Sequence, residues 1–107
     1  TKLIVIGDMP VNNNVLPQCL SIHPSSVQGC STPPINPVVA NQDGHLGEQA
    51  AAKAAKVGFV NPIPWLCAST CSPVVGNMIV NYDSSHVSAV YASYLSTVMG
   101  TAIKPLL

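Results

Sequence analysis

Asn77-Met78-Ile79-Val80-Asn81-Tyr82-Asp83-Ser84-Ser85-His86-Val87-Ser88, running on into Ala89-Val90-Tyr91-Ala92-Ser93-Tyr94-Leu95, decides how the rest of the chain is read. A short apolar run, Met78 to Val80, has the length of a buried strand and precedes an acid and a histidine three residues apart. An amphipathic pattern follows, so Asp83 and His86 are expected in the loop or first turn between a strand and a helix. Open α/β sheets gather their chemistry at the carboxyl ends of strands. An aspartate there can orient an imidazole and stabilise its protonated form, the work of the two non-nucleophilic members of a hydrolase triad. A plainer reading stands beside it: Asp83 or Ser84 caps the helix and His86 is a polar first-turn residue.

On either side of this stretch the elements alternate. Lys2-Leu3-Ile4-Val5-Ile6-Gly7 is a continuous aliphatic run, as expected of a strand buried on both faces of a parallel sheet. Asp8 follows it and is expected to open a turn before Met9-Pro10. Residues 10 to 44 form a long proline-rich excursion containing Asn12-Asn13-Asn14 and Pro33-Pro34, with a helical turn expected near Pro17 to Ser21. The pattern predicts a helix over 41–57, capped by Asn41 or Asp43 and ended by Gly58, with Leu46, Ala50, Ala54 and Val57 as its buried face and His45 facing solvent. Phe59 to Ile63 reads as a strand that Pro62 confines to an edge or an end. Trp65 is expected to pack over the cysteine loop, an acyl or sugar pocket being the other use for it. The last helix is expected from Ser84 to Gly100, burying Val87, Val90, Tyr91, Tyr94, Leu95 and Val98. Ile103 to Leu107 is then a tail, and Asn77 is a turn residue.

The chain has 107 residues, enough for one domain, and 48% of them are apolar. Only 7% are charged, against about 25% in an average soluble domain. Four lysines, no arginine and four acids leave no net charge. Nucleic acid is excluded as a partner by the lack of clustered cations to neutralise phosphates. A near-neutral surface favours association, which a missing partner segment would explain. No apolar run is long enough to span a bilayer, and Leu3 to Ile6 is too short for a signal-peptide core. An export signal would therefore lie outside these residues.

Four cysteines admit three pairings. The local pairs Cys19–Cys30 and Cys67–Cys71 are expected, because each closes a loop without a core of its own. An even count points to an oxidising compartment. The competing use is a zinc site made of Cys67, Cys71 and either His23 or Cys19, although its second ligand pair lacks the usual regularity. His23, in Ile22-His23-Pro24, otherwise reads as a surface-loop residue. No cofactor is expected.

Trp65-Leu66-Cys67 through Cys71-Ser72-Pro73, with Asn77, Val80 to His86 and Tyr91, forms a recognisable order of residues. So does Ile4-Val5-Ile6-Gly7-Asp8-Met9-Pro10 followed by Leu16-Pro17-Gln18-Cys19 and Cys30. Together they resemble the C-terminal part of the SGNH-type domain found at the end of acyltransferase-3 membrane proteins. The resemblance covers nearly the whole chain and is strongest from Trp65 to Tyr91. It implies a three-layer α/β/α partial domain with a short parallel sheet, two main helices and disulfide-pinned loops. It also implies that Asp83 and His86 belong to a Ser-His-Asp triad. A polar pair of Asp-Asn type is usual before that histidine, and Ser84-Ser85 departs from it mildly.

A larger departure concerns the nucleophile. SGNH serines lie in a Gly-Asp-Ser block, and here Gly7-Asp8 is followed by Met9. By its surroundings this segment matches a later strand end of the family, so the serine and oxyanion blocks are expected upstream of Thr1. Ser84, Ser85 and Ser88 lie near His86, but none sits on a nucleophile elbow. The implied partners are the upstream part of the same domain, a membrane acyltransferase domain, and an acylated glycan or glycolipid of the cell envelope. The implied location is extracytoplasmic. Two functions are left: an acyl-transfer or esterase site to which this chain lends Asp83 and His86, or an incomplete module that positions substrate for the membrane enzyme.

Overall fold

In the computed structural model of the chain, residues 1–32 and 42–107 are described, with only the backbone of residues 42–44. The expected cap Asn41, the side chain of the other expected cap Asp43, and the Pro33-Pro34 segment lie outside what is described. Strand β1, Ile4–Ile6, leads to helix α1, Leu16–Ile22. A 3₁₀ turn, Val27–Cys30, comes next. Helix α2, Gln42–Ala54, is followed by strand β2, Gly58–Val60. A second 3₁₀ turn, Ile63–Trp65, precedes strands β3, Val74–Val75, and β4, Met78–Ile79. Helix α3, Ala89–Ile103, closes the chain with a last 3₁₀ turn, Lys104–Leu106.

Strands β1 and β2 pair in parallel, Ile4 with Gly58, Val5 with Phe59 and Ile6 with Val60. The crossover between them contains α2, as a parallel pair requires. The expected doubly buried β1 is not found, since Ile4 and Val5 are half-buried and Ile6 is exposed. Two strands with no further neighbour among the described residues cannot cover both faces. The strand entering Asp83 also differs from expectation. Met78 and Ile79 do not extend the parallel sheet but pair antiparallel with Val75 and Val74. Gly76 and Asn77 form a two-residue turn between them, and Gly76 takes the positive φ of +59° that such hairpin turns need. The turn role expected of Asn77 holds.

Helix α2 turns a different face inward from the one its apolar periodicity suggests. Leu46, Ala50 and Ala54 are exposed, whereas His45 and Ala52 are buried. His45 is therefore not a solvent-facing residue; its ring meets Phe59 edge-on at 5.4 Å. The cause lies at Gly7, where a Cβ would come within 2.9 Å of the His45 ring and 2.8 Å of Phe59. A bare glycine at the end of β1 gives the flat imidazole somewhere to lie. The helix ends at Ala54 and is closed by Lys56, not by Gly58. Lys56 adopts φ +55°, with Val57 N donating to Ala52 O at 3.0 Å and Lys56 N to Lys53 O at 3.1 Å. That is a Schellman closure with lysine in the left-handed position, and it frees Gly58 to enter β2.

The main core lies elsewhere. Leu66, Cys67, Cys71, Val80, Tyr91 and Leu95 form one buried cluster, with Met9, Trp65, Val75 and Val87 packed against it. Both local disulfides are present, Cys19–Cys30 and Cys67–Cys71. Thr32, wholly buried, joins the two cystine loops: its N–H donates to Cys71 O at 3.2 Å and its carbonyl accepts from Cys71 N at 2.6 Å. Trp65 packs beside the Cys67–Cys71 loop as expected, and its carbonyl accepts from the Tyr91 hydroxyl at 2.6 Å. Leu106, in the C-terminal turn, reaches Gly58 on β2, so the tail packs on the sheet.

Helix α3 begins five residues later than the pattern suggests. Ser88 is its N-cap, accepting from Tyr91 N at 3.2 Å, and the helix passes through Gly100 to Ile103. Tyr91 and Leu95 are buried, but Val90, Tyr94 and Val98 are 55%, 58% and 40% exposed. The helix is apolar nearly all round, and periodicity cannot say which side finds the core. Leu95→Ala should cost about 2–5 kcal/mol of stability by leaving a cavity. Val98→Ala should cost less than about 1 kcal/mol. Urea unfolding of the two variants checks the contrast.

Candidate active site

Between Val80 and Ser88 the chain turns back on itself. Asn81 bridges Val87, Tyr82 N donates to His86 O at 3.1 Å, and Ser88 N donates to Val80 O at 2.8 Å. Asp83, Ser84 and Ser85 form the tip. The site residues thus sit on a tight turn ahead of the helix and not in its first turn. Asn12 fastens this turn to the segment that follows β1. Its backbone N donates to Ser84 O at 2.6 Å, and its side-chain Nδ2 donates to the buried Asn81 Oδ1 at 2.9 Å.

The Asp83 carboxylate divides its two oxygens. Oδ1 accepts from Ser85 N at 2.8 Å and from His86 N at 2.7 Å, closing the turn. Oδ2 lies 2.7 Å from His86 Nδ1. The plain reading fails as stated, because Ser88 and not Asp83 or Ser84 caps the helix; Asp83 instead closes its own turn with one oxygen and meets the imidazole with the other. The backbone N–H of His86, then that of Ser85, then the imidazole hold the Asp83 carboxyl at about 2, below its ordinary 3.8.

With Nδ1 directed at the carboxylate, Nε2 has no hydrogen-bond partner among the described residues. The His86 side chain is 68% exposed, so that nitrogen is open to an incoming group. Tyr82 lies parallel to the imidazole, 5.6 Å between centroids and 20° between planes. Neighbouring hydroxyls are not aimed at Nε2. Ser85 Oγ is 3.4 Å from Nδ1, the wrong nitrogen, and Ser88 Oγ is used in capping α3 and in donating to Ile79 O. Asp8 Oδ1 accepts from Met9 N at 2.9 Å and its own N–H donates to Glu48 at 2.8 Å, but the chain runs on irregularly through residues 8–12, so the turn expected at Asp8 is not found.

The zinc alternative fails on the sulfurs. Cys19, His23 and Cys30 do cluster, with ligand atoms within 4.8 Å of one another, but all four cysteines are tied in disulfides and offer no thiolate. His23 is exposed, as expected, and its Nδ1 lies 3.0 Å from Cys19 O at the end of α1.

A family model described as the SGNH domain fused to AT3 domains matches residues 1–100. The chain belongs to this family. No curated protein and no solved structure matches it. The SGNH chain nevertheless carries two residues beside the dyad that sequence reasoning missed. Tyr82 stacks on His86, and Asn81 is buried beneath the turn. Their signal was positional: both directly precede Asp83 in an extended segment, where alternate side chains point to opposite sides.

A depressed carboxyl pKa stabilises the fold above the unfolded value and loses that contribution as pH falls through the folded one. The Asp83 carboxyl carbon should titrate by NMR near 2. Stability measured from about pH 4 down to about pH 2 should fall less steeply in Asp83→Asn than in the parent.

Proposed function

We propose that this SGNH domain contributes the histidine and aspartate of a Ser-His-Asp site for acyl transfer or ester cleavage. His86 is the general base, acting through Nε2, and Asp83 holds its ring and its tautomer. The observation carrying this reading is the 2.7 Å contact from Asp83 Oδ2 to His86 Nδ1 beneath an exposed imidazole. The serine comes from an upstream segment of the same domain, which also adds strands to β1 and β2 and completes a three-layer α/β/α arrangement. The substrate is an acylated glycan or glycolipid of the cell envelope, and the partner is the membrane acyltransferase domain. The fusion named in the family description supports that partner. Two disulfides support an extracytoplasmic location.

The second reading is a module that binds or positions substrate without turning it over. It is favoured for these 107 residues alone by their lack of a Gly-Asp-Ser block. A fluorophosphonate probe with intact-mass readout separates the two. A version extended upstream should be labelled and the 107-residue chain should not. His86→Ala in the extended form should slow labelling by at least about 10²-fold, the scale of general-base catalysis. Absence of labelling in both forms would favour the binding module, and labelling of the short chain would contradict the upstream serine.

A further inference from the structure

The fold sorts the few charges of the chain by sign. Lys53 lies in the last turn of α2, and Lys56 closes that helix two residues before Gly58. Lys2 stands two residues before Ile4, the partner of Gly58 across the sheet. Lys104 opens the C-terminal 3₁₀ turn, whose Leu106 approaches Gly58. All four lysines of the chain therefore gather where β1 and β2 begin, and all four are exposed. Scattered in sequence, they form a cation cluster only in the folded chain.

The four acids lie toward the opposite end. Asp8 follows β1, and Glu48 accepts from its backbone N–H. Asp43 belongs to the first turn of α2, the turn that carries His45 to Gly7. Asp83 sits on the turn that Asn12 fastens to the segment after β1. Helix α2 runs between the two ends, and its 13 residues cover about 20 Å. Charges are largely screened beyond about 8 Å at physiological salt. The acids therefore leave the lysine end positive although the net charge is zero.

The same end exposes aliphatic groups. Leu3, beside Lys2, is 64% exposed, and Leu107, just past the turn that Lys104 opens, is 69% exposed. Protein interfaces are depleted in lysine and enriched in arginine and aromatic residues, and this chain has no arginine. A lysine ammonium is a point charge on a flexible stem, able to follow mobile phosphates without demanding one geometry. Exposed leucines among such cations match the boundary between headgroups and acyl chains. Strands added beside β1 or β2 would leave the strand ends open.

We infer that this end of the domain rests on an anionic phospholipid surface, with Lys2, Lys53, Lys56 and Lys104 among the headgroup phosphates and Leu3 and Leu107 at the acyl boundary. Contact of this kind turns the carboxyl ends of the strands, and with them the Asp83–His86 turn, away from the bilayer. The inference uses neither the dyad nor an upstream serine. It rests on the proposed membrane partner only for keeping the domain near a bilayer.

The test is flotation of the 107-residue chain with vesicles of equal parts phosphatidylcholine and phosphatidylglycerol, against vesicles of phosphatidylcholine alone. Partitioning onto the anionic vesicles should be at least about tenfold stronger and should be lost in about 1 M salt. Lys2→Gln with Lys104→Gln should weaken it about tenfold or more, and Leu3→Ser with Leu107→Ser at least about threefold. Adding Asp8→Asn and Glu48→Gln to the lysine pair restores a zero net charge at the other end and should not restore binding. Circular dichroism confirms that each variant is folded, and the comparisons of vesicle and salt need no variant. Equal partitioning onto the two vesicle types, binding undiminished in the lysine pair, or full recovery in the charge-restored variant would overturn the inference. Polyglutamate or duplex DNA held as tightly as the anionic vesicles would mark a general polyanion patch and overturn the lipid contact. Vesicle binding, together with failed fluorophosphonate labelling of the extended form, would uphold the lipid contact and sink the catalytic reading alone.

Discussion

The geometry of the site depends on how one carboxylate is shared. Asp83 spends one oxygen on two backbone N–H groups and the other on an imidazole. The first use fixes the turn, and the turn fixes where His86 begins; the second fixes how its ring is aimed. Hydrogen bonds to an ionised acceptor are roughly twice as strong as neutral ones. The tip can therefore stay ordered although its residues face solvent. Asn12 anchors the turn from the other side, carrying the position of the β1 end over to Ser84 and Asn81. Sheet, turn and helix cap are thereby joined through polar contacts around a small apolar core.

That core is divided, which explains the character of the rest. One part surrounds Val80, Tyr91, Leu95 and the Cys67–Cys71 bridge. The two parallel strands lie apart from it, covered by His45 and Ala52 on one side and approached by Leu106 on the other. Short strands and little charge leave many apolar side chains outside, among them Leu3, Ile6, Tyr94 and Val98. Two disulfides and the Thr32–Cys71 bridge supply constraint that burial alone does not. Closing loops covalently stabilises chiefly by restricting the unfolded chain, typically by about 2–4 kcal/mol for each bridge.

Local chemistry was legible in the sequence where it is set by neighbouring residues. The two cystine loops, the helix at Pro17, the turn at Asn77 and the Asp83–His86 spacing all answer to short-range geometry. What was not legible depends on partners distant in the chain. His45 looks like a solvated first-turn histidine until Gly7 and Phe59 are brought beneath it. Val90, Tyr94 and Val98 share a period with Tyr91 and Leu95, so only packing separates the covered side from the open one. Met78 to Val80 has a strand's composition, but the glycine at Gly76 folds it onto Val74 and Val75 and away from the parallel pair. The family order of residues points to Asp83 and His86 from the sequence alone; the 2.7 Å contact between them depends on a turn that no spacing rule specifies.

The dyad is tested most directly by the tautomer of His86, read from long-range proton–nitrogen NMR correlations under alkaline conditions that keep the ring neutral. The 2.7 Å contact from Nδ1 to Asp83 Oδ2 requires the proton on Nδ1 and a bare Nε2. This pattern should disappear in Asp83→Ala, where the Nε2–H form of a free imidazole should prevail. An Nε2–H tautomer in the parent chain, or the same spectrum in both proteins, would contradict an imidazole held by Asp83 for base catalysis.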